Sequence, residues 1–145
     1  MSGAHGRPAV ERGRGFEIVL IAVYALFALS ATARSVTQIL RDLMAAPVAY
    51  SLSLLAAVTY IAVALALIRH GRRSSLARAL CLVELAGVLV VGTLTVLDPQ
   101  LFPDATVWSV YGQGYGYVPL LLPLVALAYM ALAGRRAERP EERAR

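Results

Sequence analysis

Residues 43–73, LMAAPVAYSLSLLAAVTYIAVALALIRHGRR, decide the fold. From Leu43 to Ile68 there is no charged side chain, and Arg69-His70-Gly71-Arg72-Arg73 then ends the run abruptly. About twenty such residues in a helix cross the hydrocarbon of a bilayer, each adding ~1.5 Å, with every backbone polar group satisfied inside the helix. Pro47 stands where a first turn tolerates it, because its missing N–H is one that a helix start leaves unpaired anyway. The basic turn at the far end marks the cytoplasmic side, where short arginine-rich loops stay.

The same grammar repeats on either side. Upstream, Ile18 to Ala33 carries no charge and is bracketed by Glu17 and Arg34. A basic start, a short apolar core and Ala31-Thr32-Ala33 also fit a signal peptide with its cleavage site. Glu17 abutting the core, and helix-compatible sequence beyond it, favour an uncleaved anchor. Downstream, Ala79 to Leu97 follows Arg78 and stops at Asp98-Pro99, where proline cannot continue a helix. Val118 to Gly134 is shorter, holds Pro119 and a Pro123 expected to kink it, and ends at Arg135-Arg136.

The predicted spans are therefore about 16–34, 46–68, 78–97 and 118–134, within a transmembrane domain of residues 16–134. Residues 1–15 and 135–145 are expected to be disordered cytoplasmic tails. Residues 34–44 put Val36, Ile39, Leu40 and Leu43 on one helical face and Arg34, Gln38, Arg41 and Asp42 on the other. That pattern predicts a helical extension at the interface; a second reading uses Arg34 and Arg41 to bind an anionic lipid or a partner. The expected fold is all-α: a polytopic transmembrane four-helix bundle of the plasma membrane with both termini cytoplasmic.

Composition narrows the function. The chain is 59% hydrophobic and 16% charged, and its net charge of +5 rests on fourteen arginines and no lysine. Those arginines sit at span ends rather than in a basic stripe interleaved with aromatics, which argues against nucleic acid. Cys81 is the only cysteine, and His5 and His70 are the only histidines. A haem held by two intramembrane histidines is excluded, and no metal or other cofactor is expected. No P-loop, carboxylate pair within a span or Ser-His arrangement is present, so no catalytic residues are assigned.

Glu84 is the exception in this apolar background. An ionisable group at that depth is costly and normally faces protein or water. Counted from the charged boundary of each span, Glu84, Tyr24, Tyr60 and Tyr129 all lie about 9–14 Å into the membrane. The sequence thus permits an intramembrane polar layer, with a carboxyl ringed by one tyrosine from each other helix. Either the layer knits the bundle through a neutral, hydrogen-bonded carboxyl, or Glu84 titrates during proton or cation movement.

The connection 98–117, DPQLFPDATVWSVYGQGYGY, carries two acids, no base and Phe102, Trp108, Tyr111, Tyr115 and Tyr117. It reads as an outer loop whose aromatics form an interfacial belt, with Asp104 capping a short helix to Val110. Gly114-Tyr115-Gly116 resembles a potassium-selectivity filter, but no Thr-Val pair precedes it and no acid follows. A compact turn fits it better. Gly87 and Gly92, five apart, do not make the four-residue spacing for close helix crossing.

The stretches ELAGVLVVGTLTVL (84–97), LFPDATVWS (101–109) and YGQGYGYVPLLLPL (111–124) resemble the small four-helix integral membrane proteins, about this long, that are common in actinobacteria. The resemblance covers residues 78–132 and implies a plasma-membrane protein without an assigned activity. The expected function is a non-enzymatic accessory or scaffold component, in contact with the lipid bilayer and with a membrane-protein partner or a second copy. The alternative is a small transporter or channel-like protein with Glu84 as the coupling group.

Overall fold

In a computed structural model, the backbone is described for residues 7–143 and the side chains for 14–135. Four long helices follow one another: α1 (Arg7–Asp42), α2 (Pro47–His70), α3 (Ser75–Leu97) and α4 (Val118–Arg143). All four contain a stretch long and apolar enough to cross a membrane. Among the described residues there is no strand.

Two of the three connections are tight. Asp42 Oδ1 accepts the Met44 N–H at 3.0 Å and turns the chain into α2. At the other end Gly71 closes α2 with φ 68°, a conformation that favours glycine, and its N–H bonds to Leu67 O. Ser74 Oγ then caps α3 through the Ala77 N–H at 3.0 Å. Such short joins leave neighbouring helices antiparallel.

What packs the helices is a stripe of mostly small residues inside each apolar span. On α2 the buried positions include Ala49, Ser53, Ala56, Tyr60, Val63 and Leu67; on α3 they include Ala77, Cys81, Glu84, Val88, Val91 and Thr95. Both series step by four and three residues, the 3.5-residue repeat of a left-handed helix pair. On α1 the stripe is Leu20, Tyr24, Ala28, Ala31 and Ser35. Small side chains let backbones approach, which is how helices associate when lipid removes the hydrophobic drive between them. The large apolar residues point outward, Leu26 60% and Leu29 69% exposed among them.

Two expectations change. Residues 7–15 and 135–143 continue α1 and α4 rather than forming irregular tails; alanine, arginine and glutamate extend an existing helix readily. The rest of both tails lies outside the described residues. Residues 34–42 are helical, as expected for the extension, and continue α1, which runs unbroken through Ala31-Thr32-Ala33. No helix runs from Asp104 to Val110: Asp104 Oδ1 accepts its neighbour's N–H at Ala105, and a 3-10 segment forms instead over Ser109–Tyr115.

Candidate functional site

Glu84 occupies a core position of the α3 stripe and is fully buried. Nine residues from Ser75, it lies about 14 Å from that end of the helix. Tyr24 reaches it from α1, donating its O–H to Glu84 Oε2 at 2.8 Å. Cys81, one turn before Glu84, has its Sγ 3.6 Å from the same tyrosine oxygen. With Tyr24 donating to the carboxyl, the thiol is left as the donor to Tyr24. A Cys81–Tyr24–Glu84 chain thus links α1 to α3.

Glu84 Oε1 is buried and finds no hydrogen-bond partner among the described residues. An ionised carboxyl has unused acceptor capacity there, and a neutral one protonated at Oε1 has a donor without an acceptor. In either state one side of the carboxyl is unsatisfied, which is unusual for a buried polar group. Ser53 Oγ on α2 is in the same condition.

The loop 98–117 closes over this cluster. Trp108, expected in a surface belt, is 1% exposed and donates its indole N–H to Tyr60 Oη at 3.0 Å. Its ring lies over Gly87, where an added Cβ would come within 2.6 Å of the six-membered ring. Tyr111 covers Gly92 in the same way, and its hydroxyl lies 3.0 Å from Thr93 Oγ1. Thr95 Oγ1 accepts the Val110 N–H at 2.8 Å. The two glycines are therefore sockets for loop aromatics, a role that their sequence spacing alone did not suggest.

Around these sockets the chain turns left-handed at Val110, Tyr111 and Gly112, with φ of 49°, 61° and 85°. Positive φ is strained for a β-branched residue, and Val110 holds it because Trp108, Thr95 and Gly92 fix the segment on both sides. Phe102, Tyr111 and Tyr115 are half-buried, and of the five aromatics expected in the belt Tyr117 alone is exposed, at 44%.

The expected polar layer is thus brought together in part. Tyr24 bonds to Glu84, while Tyr60 stands beside Tyr24 with ring centroids 6.3 Å apart and is bonded to Trp108 instead. Tyr129 packs its ring on Phe16 at 4.8 Å, two helical turns before Tyr24 on α1. Depth counting from the charged span boundaries put Tyr129 level with Tyr24, whereas its ring contact lies about 12 Å along α1 from Tyr24, at Phe16.

A second polar cluster ties the loop to α1 and α2. Arg34 donates to Tyr115 Oη at 3.1 Å and to the Ala105 carbonyl at 2.8 Å. Asp104 Oδ2 accepts from Gln38 Nε2 at 3.3 Å and from the Tyr50 hydroxyl at 3.2 Å.

Clefts open on the surface formed by the described residues. One, of about 190 Å³, is apolar and lies between α1 and α4, lined by Val19, Val23, Leu121 and Val125 among others. Another, of about 440 Å³, runs along Arg34, Gln38 and Arg41. Glu84 lines neither. Among the described residues no three His, Cys, Asp or Glu side chains converge to hold a metal ion. No protein-family model, curated protein or solved structure matches the chain.

Proposed function

We propose that this chain is a non-enzymatic accessory or scaffold component of the plasma membrane, inserted with both termini in the cytoplasm. The reading rests on how the polar groups inside the spans are used. Tyr24, Cys81, Tyr60 and Thr95 are directed at one another, at Glu84 and at the loop. None of these bonds faces either surface cleft. Polar groups spent this way hold helices and loop together and leave the apolar outer face for lipid and a membrane-protein partner. Crosslinking in native membranes followed by pull-down tests it: one stoichiometric membrane-protein partner, or a second copy, is expected. A chain that crosslinks to neither lacks the partner this reading requires.

One observation favours a second reading, a small transporter with Glu84 as its proton or cation coupling group: the unpartnered Oε1. Glu84→Gln in proteoliposomes separates the two. Unchanged proton and cation flux with a lower melting temperature supports the scaffold; intact stability with abolished flux supports transport.

A further inference from the structure

The cleft on the loop end of the bundle has a composition that the scaffold role does not use. It is about 440 Å³ in volume and is lined by Ala33, Arg34, Thr37, Gln38, Arg41 and Tyr115. Arg34 and Arg41 are seven residues apart on one continuous helix, so their Cα atoms fall on nearly the same face about 10 Å apart. Arg41 is exposed.

The charges here are held open. Both acceptors of Arg34, the Tyr115 hydroxyl and the Ala105 carbonyl, are neutral. A guanidinium carries five N–H donors, so Arg34 keeps its full charge and several donors beyond those two bonds. Two carboxylates of this end, Asp104 and Asp42, are bonded to uncharged donors rather than to either arginine, and Asp98 does not line the cleft. Asp104 accepts from Gln38, Tyr50 and the Ala105 N–H, and Asp42 accepts from the Met44 N–H. Two arginines on one face at the rim of a single cleft match the oxygens of an anionic phosphate group.

We propose that this cleft binds a phosphate group through Arg34 and Arg41, supplied by the headgroup of an anionic phospholipid or by free phosphate. Arginine forks match phosphate oxygens in pairs, and binding at a membrane surface is strengthened where acyl chains continue from the headgroup. The site does not depend on which side of the membrane this end faces, nor on the identity of a protein partner.

The full chain in neutral detergent, melted while following its single tryptophan, provides the test. Phosphatidylglycerol is expected to raise the melting temperature by about 5 °C near saturation, and phosphatidylcholine with the same acyl chains is not. Arg41→Gln, at an exposed position, should leave the lipid-free melting temperature unchanged and demand about tenfold more phosphatidylglycerol. Arg72→Gln, in the basic turn at the opposite end, should titrate like the parent. If inorganic phosphate alone reproduces the shift and Arg41→Gln weakens it, free phosphate is the source; if only the lipid acts, the headgroup is. Equal shifts with phosphatidylcholine, no shift with either phosphate source, or sensitivity to Arg72→Gln but not to Arg41→Gln would each overturn the proposal.

Discussion

Tyr24 and Glu84 are each buried in an apolar interior and joined by a 2.8 Å bond, so removing either one takes from the other its strongest partner. Tyr24→Phe should destabilise the bundle by about 1–2 kcal/mol, because both carboxyl oxygens are then left unpaired. Glu84→Leu leaves the Tyr24 hydroxyl with only the weak Cys81 thiol as partner and should cost a similar amount or less. The double variant is expected to be more stable than the sum of the two single losses by about 0.6–2 kcal/mol, the range for hydrogen bonds between membrane helices. Reversible unfolding in mixed micelles measures all three variants, and strict additivity would show the pair to be uncoupled. Glu84 and its burial were legible in the sequence because a lone carboxylate in an apolar run has few other places to face. Tyr24 was legible as a partner by its height; Tyr129, placed level with it by the same count, has its ring on Phe16, two turns away along α1, because a charged boundary locates a helix end only to within a turn or two.

At the scale of elements, the span boundaries were the legible part. Arg69, Arg78 and Asp98-Pro99 fall at or near helix ends because lipid excludes them, whereas α1 and α4 run on past Arg34 and Arg135 as helix. The loop was not legible, since aromatics close to a membrane surface read equally well as a belt and as plugs. The missed signal was the pair of glycines within α3. They lie about 140° apart around the helix, so Trp108 and Tyr111 clasp α3 from two sides. Gly87→Val forces a side chain into the ring of a fully buried tryptophan and should cost about 1–3 kcal/mol. Because Trp108 is the only tryptophan, displacement of the loop should red-shift the protein's emission. An unshifted spectrum with parental stability would mean that Trp108 does not sit in the Gly87 socket. Val110→Gly serves as the counterpart. It relieves a β-branched residue at φ 49° and should leave stability within about 1 kcal/mol of the parent, with unshifted emission.

The whole molecule separates its charges by end. Arg69, Arg72, Arg73 and Arg78 flank the α2–α3 turn, and Arg135 lies on α4 beyond its apolar stretch. The opposite end carries Asp42, Asp98 and Asp104 alongside Arg34 and Arg41, and Arg34 is held by the docked loop. Short arginine-rich connections resist translocation, so the topology proposed above puts the α2–α3 turn and both termini in the cytoplasm and the loop 98–117 outside. Ser75 and Gln113 are exposed on the two ends, and neither belongs to the polar clusters. The native Cys81 is buried, so a membrane-impermeant maleimide should find little background in the parent chain. Gln113→Cys should therefore be labelled in intact cells, and Ser75→Cys only after permeabilisation. Labelling of Ser75→Cys from outside would invert the molecule, place its arginine-rich turn on the trans side and turn the anion cleft of α1 toward the cytoplasm. The phosphate titration in detergent would come out the same in either orientation, so topology and ligand chemistry are tested independently.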